Sequence, residues 1–175
     1  RDLRMSRGLG DVYKRQEPAL KPAHALRHGG SILVLATPMT LRLEKFQQLY
    51  ARYGEGAIPL RCPGLMELVE QEANEQARRY LLELLHPYDL RTVDAVVLGC
   101  THYVFLRPLL REILPENVQV LDGNEGTARQ LRRVLTENDL LCARETPGKI
   151  TLETSGAPET VLPVMRRLLV RADTL

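Results

Sequence analysis

The chain has 175 residues, of which 44% are hydrophobic and 26% charged, as in a globular protein with room for one domain or one domain and part of another. The net charge of +2 arises in the first sixteen residues, which carry +3, so the other 159 residues carry −1 and have no general affinity for polyanions. No apolar stretch reaches the roughly 18 residues of a membrane span. We therefore expect neither nucleic acid nor a membrane among the partners.

Residues 1 to 16 are polar, rich in Arg and Gly, and show no usable hydrophobic period. They resemble translated adapter sequence, and we interpret them as a non-native tail that takes no part in the fold. The alternative is a basic arm that binds a partner, although a short basic run is usually only solvated.

From residue 17 onward, short apolar runs alternate with segments of helical period. The predicted helices are 17–28, 41–53, 65–85, 103–114, 125–136 and 159–170, and the predicted strands are 31–36, 57–61, 92–98, 118–121 and 149–153. Strand and helix in this rhythm predict an α/β fold with a parallel sheet and covering helices.

Reactive side chains follow one predicted strand where it ends. Cys100, Thr101 and His102 come directly after the buried run that stops at Gly99. The turns after the other strands, among them Thr37 to Thr40, fall at the same edge of a parallel sheet, where ligands bind. A site at this edge is one interpretation; the other is a small buried thiol and a histidine that caps the turn.

The cysteines argue against a disulfide framework. Cys62, Cys100 and Cys142 are an odd, widely spaced set, which favours a reducing cytoplasm and fits no zinc pattern. We expect Cys62 to pack in the interior and Cys142 to be an incidental loop thiol. No metal site is predicted, and no glycine-rich phosphate-binding motif follows a strand.

The run Leu-Gly-Cys-Thr-His-Tyr at 98–103 resembles the glutamate racemases of the aspartate/glutamate racemase superfamily. Further stretches match this family in the same order, and the likeness extends from about residue 17 to residue 170. These stretches lie at 17–19, 34–40, 62–70, 120–123 and 154–156.

The resemblance implies cofactor-independent chemistry with two cysteines on opposite faces of the substrate α-carbon. Cys100 matches the second of these cysteines. The chain has neither the C-N-T turn that carries the first cysteine nor the D-S-G-x-G-G stretch that opens family members. We therefore expect a carboxyl-terminal fragment that lacks roughly the first hundred family residues and is inactive by itself.

The resemblance also implies the catalytic residues Cys100, His102 and Glu70. A thiolate base needs a lowered pKa, which the start of the following helix favours, and His102 could exchange a proton with the thiol near neutral pH. The sequence by itself indicates only a solvated glutamate on an acidic helix at position 70. The catalytic role of Glu70 is implied by the resemblance alone.

Substrate contacts are expected from Thr101 and His102, and from Thr37 and Thr40. Thr101 lies at a helix start, where a carboxylate can bind. For Thr37 and Thr40 the alternative is that a threonine after a strand only caps the next helix.

We expect the parent protein to interconvert L- and D-glutamate in the cytoplasm, without a cofactor, for peptidoglycan synthesis. Residues 17–121 are predicted to form one flavodoxin-like lobe with helices on both faces, and residues 122–175 part of a second α/β lobe. Glutamate is the expected small-molecule partner, and a homodimer is left open. The alternatives are a related amino-acid or hydantoin racemase, and a non-catalytic binding module of the same fold.

Overall fold

A computed structural model describes residues 13–143, 146 and 148–173 of the chain. Within these residues a parallel sheet has the strand order β2–β1–β3–β4. Its strands are β1 Ser31–Ala36, β2 Ala57–Arg61, β3 Val93–Leu98 and β4 Gln119–Asp122. The predicted α/β class and parallel sheet are confirmed, and an order in which the first strand lies between the second and third is that of flavodoxin-like folds.

Eight α-helices surround or follow the sheet in the described residues. They are α1 Tyr13–Ala25, α2 Pro38–Arg42, α3 Glu44–Tyr53, α4 Leu65–Glu70, α5 Asn74–Leu85, α6 Arg107–Ile113, α7 Asn124–Glu137 and α8 Pro158–Ala172. Short 3-10 turns at Leu90–Thr92 and Tyr103–Leu106 precede β3 and α6. None of the helices described is long and apolar enough to cross a membrane.

The sheet is buried on both faces because successive side chains of its strands point to opposite sides. In β1, Ile32 and Val34 pack with α1 and α3, whereas Leu33 and Leu35 pack with α4, α5 and α6. All four side chains are almost fully buried. Continuous apolar runs of this kind are typical of strands that helices cover on both faces.

The helix predicted over 65–85 is in fact two helices, α4 and α5. Three residues between them form a Schellman turn, in which Ala73 N–H donates to Leu68 O at 3.0 Å and Glu72 N–H donates to Val69 O at 3.1 Å. Glu72 takes the left-handed conformation there, with φ of 54°. Glycine usually holds that position, and a glutamate there gives no sign of a helix end. The apolar period across residues 65–85 therefore predicts one continuous helix.

The strand predicted over 149–153 is wrong. This segment is irregular, Ile150 is 69% exposed, and no described strand pairs with it. Alternating polar and apolar residues favour a strand only when a neighbouring strand satisfies its backbone groups. The predicted helix 41–53 also differs, since the chain turns at Leu43 between α2 and α3.

The predicted tail falls mostly outside the described residues, because residues 1–12 are not among them; residues 13–16 form the start of α1. Past β4 the described residues contain α7, which packs against α1, and α8. Neither helix has a fully buried residue. The division into lobes at residues 121 and 122 stays a prediction.

Truncating a central strand side chain tests the two-sided core. Leu35→Ala should lower the free energy of unfolding by about 2–5 kcal/mol, because the side chain is 0% exposed and its loss leaves a cavity. Urea denaturation measures the change. Leu140→Ala is the control: this leucine is 67% exposed, and its loss should change stability by less than about 0.5 kcal/mol. Equal losses in both variants would contradict the assigned core.

Candidate active site

The carboxyl ends of the four strands lie side by side at one edge of the sheet. The parallel register pairs Leu35 with Leu98, Leu98 with Asp122, and Ala36 with Arg61. The turns that follow these residues therefore share one edge, as the sequence predicts.

Gly99 ends β3 where backbone from β1 approaches closely. Its N–H donates to Leu35 O at 2.7 Å, and a Cβ placed on Gly99 would lie 2.8 Å from that oxygen and 3.2 Å from Ala36 Cβ. A larger residue would push the two strands apart, so glycine is required for this turn. The turn brings the next three residues to the open edge.

A cleft of about 240 Å³ lies over this edge. All four strand-edge residues predicted to contact substrate, together with Cys100, are part of its wall. The lining residues are Thr37, Thr40, Met66, Leu98, Gly99, Cys100, Thr101, His102, Val104, Asp122, Gly123 and Asn124. The predicted site residues thus meet at one concave surface, with Glu70 just behind it.

Cys100, His102 and Glu70 form a connected series. The Cys100 Sγ atom lies 3.9 Å from His102 Nδ1, and His102 Nε2 lies 2.9 Å from Glu70 Oε1. The His102 side chain is 23% exposed and that of Glu70 is 40% exposed. Glu70 is the last residue of α4, so the end of that helix meets the turn after β3.

The contact with Glu70 determines which nitrogen of the His102 ring carries the hydrogen. A carboxylate only accepts hydrogen bonds, so His102 Nε2 carries the hydrogen and donates it to Glu70. In the neutral ring this leaves the lone pair on Nδ1, the nitrogen that lies nearest the Cys100 thiol. The arrangement can move one proton between sulfur and nitrogen.

Burial raises the pKa of the Cys100 thiol above its ordinary value. The backbone N–H groups of His102, Tyr103 and Thr101, and the Thr101 hydroxyl, act in the opposite direction by favouring the thiolate. Desolvation outweighs them in this structure. The start of the following helix thus acts on the thiol in the expected direction, but burial has the larger effect on the pKa.

The threonines are placed both as helix caps and as cleft lining. The Thr40 N–H donates to Thr37 Oγ1 at 3.2 Å, and the Thr37 hydroxyl donates to Thr40 Oγ1 at 3.0 Å. Thr37 is the N-cap of α2, as the structural alternative predicts. Thr101 Oγ1 lies 3.4 Å from His102 Nδ1 and competes with the thiol for that nitrogen.

The cleft wall also includes Asp122, Met66 and Asn124, which were not predicted as site residues. Asp122 accepts hydrogen bonds from the Asn124 N–H at 2.8 Å and from the Arg107 guanidinium. Its position at the end of β4 was the available signal, because that strand ends at the same edge. Met66 on α4 offered no such signal.

The other two cysteines lie apart from the cleft wall. Cys62 is 2% exposed, donates its thiol hydrogen to Leu60 O at 3.4 Å, and has its pKa raised by burial to about 12. Cys62 therefore packs in the interior, as expected. Cys142 is exposed. Among the described residues no group of three or more His, Cys, Asp or Glu side chains could hold a metal ion.

The fold and this edge define a doubly wound α/β protein with a thiol, an imidazole and a carboxylate in series. Residues 16–131 match the family model described as Asp/Glu/hydantoin racemase, and the chain belongs to that family.

Curated relatives include a glutamate racemase from Clostridium perfringens that is 40% identical over 157 residues, which cover 87% of this chain and 60% of the relative. Another, from Clostridium kluyveri, is 41% identical over 156 residues and covers 87% of this chain and 61% of its own length. The chain thus spans about 60% of the length of the curated relatives that it matches.

Solved structures agree on the fold. A Thermus thermophilus glutamate racemase in complex with β-chloro-D-alanine has a TM-score of 0.74 at 28% identity, covering 95% of this chain and 62% of its own. The Escherichia coli glutamate racemase in complex with L-glutamate and the activator UDP-MurNAc-Ala has a TM-score of 0.63 at 31% identity, covering 84% of this chain and 58% of its own.

The three thiols should differ in their reaction with iodoacetamide. Cys142 should react first, Cys100 slowly and with a rate that keeps rising above about pH 8.5, and Cys62 only on unfolding, because only the thiolate reacts. Peptide mass spectrometry after timed labelling gives the three rates. In urea the rates should become similar. Labelling of Cys100 at neutral pH as fast as Cys142 would contradict the raised pKa.

Proposed function

We propose that this chain is the carboxyl-terminal part of a cofactor-independent glutamate racemase. The observation that carries the proposal is the series Cys100–His102–Glu70 on the wall of a cleft at the carboxyl edge of the sheet. Membership of the racemase family and the glutamate racemases among its relatives support the choice of reaction.

The proposed reaction exchanges the α-proton of glutamate between two thiols. In one direction the Cys100 thiolate takes the proton from the α-carbon, so that the C–H bond breaks, an S–H bond forms and the electron pair stays on carbon. A second thiol on the opposite face then gives its proton to that carbon and becomes a thiolate. In the reverse direction the two thiols exchange roles.

His102 is proposed to set the charge on Cys100. Moving one proton from sulfur to Nδ1 gives a thiolate and an imidazolium, and the bond from Nε2 to Glu70 stabilises the positive ring. The backbone N–H groups at residues 101–103 stabilise the thiolate. A substrate that fills the cleft excludes water, which strengthens each of these interactions.

The substrate carboxylates are proposed to accept hydrogen bonds from hydroxyl and N–H groups of the cleft wall. Thr40 and Thr101 supply the hydroxyl hydrogens, and the Thr37 hydroxyl, which already donates to Thr40 Oγ1, orients Thr40. Glu70 is the proposed orienting carboxylate, since it fixes the ring through Nε2.

The second thiol is proposed to come from a part of the enzyme outside this chain. The family resemblance and the coverage of about 60% of the curated relatives support this view. We further propose that the whole enzyme works in the cytoplasm and supplies D-glutamate for peptidoglycan synthesis. The 175-residue chain by itself should not racemise glutamate, and full turnover by the purified chain would refute the two-thiol assignment.

Replacing the proposed thiol tests the reaction directly. In the full-length enzyme, Cys100→Ser should abolish racemisation in both directions, because a serine hydroxyl is too weak an acid to supply the base. Circular dichroism of L- and D-glutamate follows the turnover. Cys142→Ser, which changes an exposed loop thiol, is the matched control and should keep ordinary activity. Retained turnover in Cys100→Ser would exclude that thiol as the base.

Replacing His102 or Glu70, the groups proposed to act on the thiol, should reduce the rate of racemisation. His102→Gln is expected to lower kcat by about 10²–10⁴-fold, the usual range for a positioned acid or base, and Glu70→Gln by less. KM for glutamate should change little in Glu70→Gln, because Glu70 lies behind the cleft lining. An unchanged kcat in His102→Gln would contradict the proton transfer proposed here.

A panel of substrates separates glutamate from other substrates named in the family description. Glutamate, aspartate and a hydantoin are offered to the full-length enzyme, and glutamate should give the highest kcat/KM. A preference for either of the others would favour the related racemase that the sequence leaves open.

A further inference from the structure

We propose that α8 is a positioning element for the Glu70–His102 pair and that Arg171 is its central positioning residue. The kinetic consequence rests on the proposed function, whereas the structural consequence does not. The last helix thus contributes to the site although it lies outside the cleft lining.

Arg171 contacts both segments that carry the pair. Its Nη1 lies 3.5 Å from Glu72 Oε1, and Glu72 follows Glu70 by two residues. Its guanidinium carbon lies 5.2 Å from the centre of the Phe105 ring. Phe105 is hydrogen-bonded to the turn after β3, since its N–H donates to His102 O at 3.2 Å. One side chain of α8 therefore bridges the two chain segments whose side chains meet at the Glu70–His102 bond.

The bridge holds a turn that is unfavourable by itself. Glu72 has φ of 54°, a left-handed conformation that is unfavourable for a residue with a side chain. The Schellman turn it completes fixes how the chain leaves Glu70, where α4 ends. A left-handed residue other than glycine persists only when its surroundings hold it. At Glu72 those surroundings include α8.

Two arginines of α8 form ion pairs with the Glu72 carboxylate. Arg167 Nε lies 3.5 Å from Glu72 Oε2, so each carboxylate oxygen faces one guanidinium. Between them in the sequence, Leu168 packs against the core that α4, α5 and α6 share. The Arg171 side chain is 29% exposed, which limits screening by solvent more than at Arg167, which is 47% exposed.

Loss of the Arg171 contacts should weaken the hydrogen bond between Glu70 and His102. Without Arg171, the turn at Glu72 can relax toward a right-handed conformation, and Glu70 at the end of α4 moves with it. His102 Nε2 then exchanges its carboxylate partner for water, and Nδ1 is held less firmly beside Cys100. The expected effect is modest because exposed ion pairs are individually weak.

The structural test uses the 175-residue chain and the NMR resonance of the His102 Nε2 hydrogen, which reports the bond to Glu70. Arg171→Gln and Glu72→Gln should each shift this resonance toward that of a water-exposed imidazole and speed its exchange with solvent. Arg171→Lys keeps the charge and should restore part of the protection. Glu137→Gln, which removes the ion pair with Arg133 on α7, is the control and should leave the resonance unchanged.

The kinetic test uses the full-length enzyme. Arg171→Gln should lower kcat about three- to ten-fold with little change in KM, the scale expected from one exposed ion pair and one cation–π contact. Unchanged Nε2 resonances in both Arg171→Gln and Glu72→Gln, with folding verified by thermal unfolding, would overturn the proposal. A moved resonance in an enzyme that does not racemise glutamate would instead refute the proposed function and leave the positioning role supported.

Discussion

The close approach of β1 to the end of β3 is the constraint on which the site depends. Only a residue without a side chain permits the bond from Gly99 N–H to Leu35 O, and that bond ends β3 level with its neighbours. The chain then turns with Cys100 at the open edge instead of in the interior. Burial of the sheet on both faces keeps this edge rigid, because no strand can slide without moving its apolar side chains out of the core.

The electrostatics of the edge balance two opposed effects. Desolvation favours the neutral thiol of Cys100, whereas three backbone N–H groups favour the thiolate. His102 adds a ring whose Nε2 atom is fixed by Glu70, so in the neutral ring Nδ1 carries the lone pair that can take a proton. The water content of the cleft therefore influences which form of the thiol is favoured. In the proposed reaction Cys100 alternately takes and gives a proton, so both its forms must be accessible.

Much of the fold follows from local sequence, because buried strands and their turns have strong apolar and glycine signals. The runs at 31–36 and 93–98 and the turn at Gly99 to His102 are cases of this kind, and they brought Thr37, Thr40 and Cys100 to one edge. The break at Glu72 could not be predicted, since a glutamate gives no sign of a left-handed turn. The strand predicted at 149–153 failed because pairing depends on a neighbour that the local pattern does not specify. The ion pair between Arg171 and Glu72 joins residues about a hundred positions apart, which no local periodicity can predict.

The hydrogen bonds between the two threonines after β1 run in one direction. The Thr40 N–H donates to Thr37, and the Thr37 hydroxyl donates back to Thr40 Oγ1, so the hydrogen of Thr37 is already used. Among the described residues no acceptor binds the hydrogen of the Thr40 hydroxyl, which a ligand in the cleft can therefore accept. Donors linked in this order polarise one another, which strengthens the last of them. The threonines at α2 therefore offer the cleft a hydrogen-bond donor, which favours a negatively charged acceptor over a cation.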